Sequence, residues 1–211
     1  AMDTPLTTPR DPAPRRFNLA GFAERFGLVF VWAVMIVVFG IALPGIFLTW
    51  TNFSIMFATQ APGAVLALAL IIPLTAGDYD LSVGANLTLA AVTIGVLNAV
   101  GGIHIGITVM AALAGGAVVG LINAFFIVYV RIPSLVVTLG TTSVITGIVQ
   151  WMTNSSTIGG ISPTLIDLVV RGRLFGISYA FYYVIAIALV IWIVFEYTPL
   201  GRRILFVGRG R

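Results

Sequence analysis

The sequence predicts an all-α protein, a polytopic bundle of about six transmembrane helices in which the second span is broken. Hydrophobic residues make up 59% of the 211 residues, charged residues only 9%, and the mean hydropathy is +1.10. An ordinary soluble domain carries about 25% charged residues. Several apolar runs also reach or approach the roughly 20 residues that a helix needs to cross the hydrocarbon core. Lipid rather than water is therefore the main solvent of this chain.

The first elements are a polar arm and a long apolar run. Residues 1–25 are rich in proline, contain four arginines and have no apolar run that could fold alone. We expect them to form a cytoplasmic N-terminal arm. Residues 26–48 exceed the apolar region of a cleaved signal peptide, so they are predicted to remain as the first span.

The second span is predicted over residues 61–76. It is short, contains Pro73, and ends in an acidic turn over residues 77–80. Proline removes a backbone hydrogen bond from a helix interior. A broken helix is therefore expected here.

Four further spans follow and complete a transmembrane domain over residues 26–197. Cytoplasmic segments collect arginine, and nine of the eleven arginines lie on one side if both chain ends are cytoplasmic. The exceptions, Arg171 and Arg173, fall in a predicted extracytoplasmic loop at 153–176, and residues 198–211 become a basic cytoplasmic tail. The four spans are predicted at residues 83–100, 103–130, 133–152 and 177–197.

Several kinds of chemistry are excluded or disfavoured. The chain has no cysteine and no lysine, so it offers no thiolate site and no Gly-x-x-x-x-Gly-Lys phosphate loop. Its arginines cluster toward the two chain ends instead of forming a basic face on a folded domain, which argues against nucleic-acid binding. The sole histidine, His104, lies at a span boundary and is interpreted as interfacial rather than as a metal ligand. We predict no catalytic residues, no metal and no cofactor.

Polar residues within the spans leave two interpretations open. Asp78 and Asp80 are costly at membrane depth, and they could couple transport to protons or cations. Alternatively, Asp80 lies two residues before Ser82 and could accept amide N–H groups at the start of the following helix, which is the favoured reading. Uncharged amides could bind a polar solute or, more often, a neighbouring helix; they are Asn86, Asn98, Asn123 and Gln150.

Three segments carry a resemblance to a known family. Residues 77–85, read as Gly-Asp-Tyr-Asp-Leu-Ser-Val-Gly-Ala, resemble the Gly-Gly-Ile-Asp-Leu-Ser-Val-Gly signature of ribose-type permeases of monosaccharide ABC importers. Residues 120–123 and 132–141 resemble the Gly-x-x-Asn-Gly and Ile-Pro-Ser-Phe-Ile-Val-Thr-Leu-Gly segments of that family. Residues 198–203 resemble its Thr-x-x-Gly-Arg. Order and spacing agree across all three, over roughly the first two thirds of a family permease.

This chain departs from the family pattern at three positions. Asp78 stands where the family usually has glycine, Tyr79 where it has an aliphatic residue, and Ala124 where glycine follows the asparagine. These changes are expected to alter local helix geometry or solute preference. They leave the order and spacing of the motifs intact.

The resemblance implies an importer of the bacterial inner membrane. In such a system two permease subunits, identical or different, form the pathway within membrane lipid, separate ATPase subunits drive it, and an extracytoplasmic binding protein delivers the solute. The spans around four residues are expected to line or brace the pathway: Asp80, Asn86, Asn123 and Thr138. The residues assigned to the family motif itself are Gly77, Asp80, Leu81, Ser82, Gly84, Pro133 and Ser134.

Two other functions remain open from the sequence. Asp78 and Asp80 are also compatible with a carboxylate-coupled secondary transporter or a channel. The coverage of only part of a family permease is compatible with a truncated, inactive membrane fragment or scaffold.

Overall fold

The computed structural model describes the backbone of residues 19–209 and the side chains of residues 26–208. These residues form two compact units, divided between Thr49 and Trp50. The described range contains eight α-helices and one short hairpin, which confirms the predicted all-α class. The predicted arm, residues 1–25, lies outside the described residues except for the helical backbone that begins at Leu19.

The first unit contains one long helix. Helix α1 runs over Leu19–Ala42 and includes the apolar stretch Phe26–Ala42. The predicted first span reached residue 48, but turns begin after Ala42. The physical reason is Pro44, because a proline disfavours helical geometry in the residue before it. The rings of Phe39 and Phe47, 5.6 Å apart, pack this turn against the end of α1.

The second unit contains five helices that are long and apolar enough to cross a membrane. With the apolar stretch of α1, they account for the six predicted spans. Helices α3 and α4 each end in π-helical turns, at Gly95–Val100 and Phe125–Tyr129. The α-helical bounds are α2 Trp50–Thr75, α3 Val83–Ile94, α4 Ile105–Ala124, α5 Ser134–Thr153 and α7 Tyr179–Tyr197.

The prediction of a short, broken second span is wrong. Helix α2 is continuous over 26 residues and begins at Trp50 rather than near residue 61, although Pro62 and Pro73 lie inside it. Proline is tolerated within membrane helices because neighbouring helices and local adjustments compensate for the lost hydrogen bond. The non-helical segment lies after α2, over residues 76–82, and we call this segment the link.

Burial in the described residues is inverted relative to a soluble protein. Most large apolar side chains are exposed, and the buried apolar residues are Ala61, Ala112, Val137 and Ile145. Six buried residues are polar: Ser54, Ser82, Thr108, Asn123, Thr138 and Ser178. Helices in lipid associate through small residues and interhelical hydrogen bonds, since the hydrophobic effect does not drive them together. This distribution is therefore that of a membrane bundle.

The second unit has two ends. Helices α2 and α7 run in the same direction, because Phe57 and Phe181 pack near their starts with ring centroids 4.9 Å apart, and α8 joins their last turns. The link end comprises the link, residues 130–133 and helix α8, which spans Pro199–Arg209. The hairpin end comprises residues 101–104 and 154–178.

The hairpin end is structured rather than an open loop. It contains the short helix α6, Pro163–Ile166, with a π-helical continuation, and an antiparallel pair of strands, β1 Arg173–Leu174 and β2 Ile177–Ser178. Phe175 and Gly176 have positive φ angles, as a two-residue hairpin turn requires. Ser54 of α2 donates a hydrogen bond to the Gly176 carbonyl, and this bond fixes the turn against α2.

A second contact fixes the loop before α6. The Asn98 side chain accepts a hydrogen bond from the Ser162 amide at 2.7 Å and donates one to the Ile103 carbonyl at 2.9 Å. The contact expected for this amide was with a neighbouring helix, whereas its partners are backbone groups of two loops.

Candidate functional site

The link runs beside the first two turns of α5. The Tyr79 amide donates a hydrogen bond to Ser134 Oγ at 3.2 Å, and Thr142 Oγ1 lies 3.2 Å from the Leu81 carbonyl. Ser134 and Thr142 are eight positions apart on the helix, which is about 12 Å along the axis. Non-helical backbone at membrane depth is tolerated only where it is buried in protein or lines a cavity. The link is therefore expected to be packed against protein or to line a cavity.

Helix α5 presents a row of hydroxyl groups toward the link and α4. Ser134, Thr138, Thr141 and Thr142 follow one another at helical spacing on one face. Thr138 is 1% exposed, and its hydroxyl lies 2.9 Å from the Ser134 carbonyl and 3.4 Å from the Tyr79 carbonyl. The shorter distance favours the bond within α5, with the link carbonyl as a secondary acceptor.

Four hydrogen-bonding residues form a series, called here the polar chain, that connects α5, α4 and the link. Thr141 Oγ1 donates to Asn123 Oδ1 at 2.6 Å, and Asn123 Nδ2 donates to Ser82 Oγ at 2.9 Å. Ser82 Oγ donates in turn to Asp80 Oδ1 at 2.6 Å. An amide N–H can only donate, so Ser82 Oγ accepts from Asn123 and uses its own hydrogen for Asp80, where the chain ends.

Asp80 also organises the start of α3. Its Oδ1 accepts the Ser82 amide N–H at 2.8 Å, immediately before the helix begins at Val83. The favoured structural reading of this carboxylate is confirmed, with Ser82 rather than a residue inside the first turn as its partner. The polar chain thus holds together α3, α4, α5 and the link.

The polar chain borders an open cavity of about 420 Å³. Asp80, Asn123 and Thr138 are among the residues that line it, together with the link residues Asp78 and Tyr79. Its other walls come from the end of α2, from α4 and from Ile204 of α8. The cavity therefore lies at the link end, between α2 and α8 on one side and α4 and α5 on the other.

A second cavity of about 380 Å³ adjoins the first. Both are bordered by Asp78, Ile127, Val128 and Ser134. Arg131, which adopts a positive φ of 64°, borders only the second cavity. The two cavities are therefore adjacent, and together they are called the recess, which extends from Asn123 toward Arg131.

Asn86 is the predicted pathway residue that does not border these cavities. It lies on α3 against Gly116 of α4, where an added Cβ on the glycine would meet Asn86 Nδ2 at 3.4 Å. Its Oδ1 is buried and has no hydrogen-bond partner in the described part of the chain. The structure therefore places Asn86 in the α3–α4 contact, one turn from the polar chain.

The residues of the predicted motif lie around the link. Gly77 has a φ of +84° and faces Gly208 of α8, Leu81 offers its carbonyl to α5, and Ser82 is the N-cap of α3. Gly84 accepts a hydrogen bond from Thr88 at 3.1 Å. Pro133 and Ser134 start α5.

Two contributing residues were not singled out from the sequence. Thr141 completes the polar chain, and Thr142 contacts the link. The signal that identifies them is the spacing of hydroxyl residues at positions 134, 138, 141 and 142, which places all four on one helical face. His104, predicted to be interfacial, is the N-cap of α4 and accepts the Gly106 amide at 3.2 Å.

The cavity is bordered by side chains that can donate and accept hydrogen bonds. The described residues contain no group of three or more histidine, cysteine or acidic side chains placed to hold a metal ion. The hydroxyl, amide and carboxylate groups at the cavity can exchange hydrogen bonds with a polar solute.

A family model matches three quarters of the chain. The model is described as the permease component of branched-chain amino acid transport systems, and it matches residues 52–210. No solved structure matches the chain.

Curated relatives are transport-system permeases. The D-allose transport system permease AlsC of Escherichia coli is 26% identical over 91% of this chain and 59% of its own length. The autoinducer 2 import system permease LsrD of Photorhabdus laumondii is 30% identical over 88% of this chain and 58% of its own. The xylose transport system permease XylH of Haemophilus influenzae is 28% identical over 63% of this chain and 36% of its own. The chain thus spans less than two thirds of the length of each.

Proposed function

Because this chain belongs to the ABC-transporter permease family, whose sugar-transport members it resembles, we propose that it is a membrane-spanning subunit of an importer. The proposed cargo is a monosaccharide or a related polar solute, moved by alternating access without covalent chemistry. The observation that carries the proposal is the cavity bordered by the ordered polar chain. Its volume of about 420 Å³ falls in the range of small-molecule sites, roughly 300 to 1,000 Å³.

The solute pathway is proposed to include the recess at the link end. Asp80, Asn123 and Thr138 would line it, while Asn86 would brace α3 against α4. Hydroxyl, amide and carboxylate groups on a rigid framework suit a polyhydroxylated solute, which can both donate and accept. The names of the relatives, which refer to allose, autoinducer 2 and xylose, support a solute of this kind.

The proposed importer requires partners. A second permease subunit would complete the pathway, separate ATPase subunits would hydrolyse ATP, and an extracytoplasmic binding protein would deliver the solute. This arrangement is supported by the family membership.

A pull-down tests the partnership. The chain, isolated from its native membrane in mild detergent, is expected to bring down an ATPase and a solute-binding protein in defined stoichiometry, identified by mass spectrometry. Isolation of a pure chain, while an unrelated complete importer from the same membrane keeps its ATPase, would contradict the proposal and favour an inactive fragment.

The link end is proposed to face the cytoplasm of a bacterial inner membrane. Arg131, Arg202 and Arg203 lie at that end of the second unit, whereas Arg171 and Arg173 lie at the hairpin end. The positive-inside rule then favours this orientation.

The absence of cysteine makes the orientation directly testable. We expect Gly159→Cys, in the hairpin-end loop, to react with a membrane-impermeant maleimide in intact cells. Phe206→Cys, on α8, should react only after the membrane is permeabilised. The opposite pattern would reverse the assigned orientation.

A carboxylate-coupled transporter is less well supported. That reading depended on acidic groups available for a proton or a cation. Asp80 Oδ1 instead accepts two hydrogen bonds from Ser82 and ends the polar chain. Uptake that follows the membrane potential and ignores ATP would restore that function.

A further inference from the structure

Helix α8 is held against two membrane helices through two glycines. A Cβ on Gly201 would collide with Phe195 and Val194 backbone atoms at the end of α7, and one on Gly208 would collide with the Thr75 carbonyl at the end of α2. Both contacts lie at the link end, and about 10 Å of helix separates the two glycines. Helix α8 therefore crosses from one helix end to the other and lies along the membrane surface.

The faces of α8 differ in polarity. Arg202 and Arg203 are exposed, and the apolar residues Leu200, Phe206 and Val207 expose 59%, 71% and 53% of their surfaces. Gly201 and Gly208 face the bundle, and Ile204 borders the cavity. The sequence Pro199–Arg209 contains no acidic residue. The exposed surface thus combines two positive charges with an apolar flank.

We propose that this surface of α8 binds the headgroups of anionic phospholipids. Helix α7 ends at Tyr197 and α8 begins at Pro199, so α8 lies at the depth where lipid headgroups meet acyl chains. Leu200 and Val207 enter the acyl boundary, and the guanidinium groups reach the phosphates. Arginines near an anionic surface attract it, so two of them are expected to select anionic over zwitterionic lipid by about tenfold or more.

A lipid fits this surface better than a soluble anion. A phosphate in water gains nothing from the exposed apolar flank, whereas a phospholipid satisfies the charged and the apolar parts together. Arginine also presents a planar set of donors that matches phosphate oxygens. The proposed ligand is a phospholipid headgroup, and its binding does not depend on the solute or on the proposed import function.

Lipid binding is measured by native mass spectrometry of the purified full chain mixed with phosphatidylglycerol and phosphatidylcholine. The native chain is expected to retain phosphatidylglycerol about tenfold better. The double variant Arg202→Gln/Arg203→Gln should lose this preference, whereas Arg202→Lys/Arg203→Lys should keep most of it because the charges remain. Arg171→Gln/Arg173→Gln, which removes the same charge at the hairpin end, should behave as the native chain does.

Three results would overturn the assignment. One is an unchanged preference in the glutamine variant. Another is displacement of phosphatidylglycerol by millimolar inorganic phosphate, which would make the surface a free-anion site. The third is loss of a co-purifying protein by the glutamine variant while lipid selectivity persists, which would identify a protein-docking surface.

Discussion

Replacement of Asn123 by leucine is expected to lower the melting temperature of the chain by about 4–8 °C, which corresponds to about 2 kcal/mol for a chain of this size. The side chain is 5% exposed, and both ends of its amide are bonded, to Ser82 and to Thr141. Leucine has a similar shape but forms neither bond. Interhelical hydrogen bonds in membranes average about 0.6 kcal/mol and reach about 1.7, so the loss amounts to about 1–3 kcal/mol.

The matched control is Asn86→Leu. This asparagine lies in the α3–α4 contact, and its buried Oδ1 has no partner among the described residues. Removal of an unsatisfied buried acceptor is neutral or stabilising. We therefore expect an unchanged or raised melting temperature, measured for both variants in the same detergent. Equal losses at the two positions would contradict the ordered polar chain.

A double-mutant cycle distinguishes the contribution of the polar chain to stability from that of general packing. Ser82→Ala removes the group that links Asn123 to Asp80. Since both substitutions interrupt the same chain, their combined effect is expected to be smaller than the sum of the two. Additive effects would mean that the two residues act independently.

Much of the helical framework follows from composition because a span must be apolar over its whole length. The four later spans begin and end within about two residues of their predicted bounds. The start of α2 was misplaced by about eleven residues. Its first turns, from Trp50, are interrupted by polar residues such as Asn52 and Gln60, which a hydropathy pattern reads as loop.

The site is only partly readable from the sequence. Asp80 and Ser82 are close in the chain, so their contact follows from local geometry. Asn123 and Thr141 are 18 residues apart on different helices, and their contact depends on how α4 rotates against α5. No periodicity in one segment determines that rotation. Asn86 lies outside the cavity for the same reason: the rotation of α3 places its side chain against Gly116.

The central claim is that the recess beside Asn123 is a solute pathway, and the accessibility of Ala124 tests it most directly. Ala124 borders the cavity, whereas its neighbour Phe125 lies at nearly the same depth, is 52% exposed and borders none of the described cavities at the link end. Thiols react as thiolates, which form in water and not in lipid. A single cysteine at either position therefore reports the local solvent.

The measurement compares Ala124→Cys with Phe125→Cys in inverted membrane vesicles, using a water-soluble thiol reagent. A pathway predicts labelling at position 124 at least about tenfold faster than at position 125. Equal, slow labelling at both positions would show that water does not reach the cavity, and it would contradict the pathway.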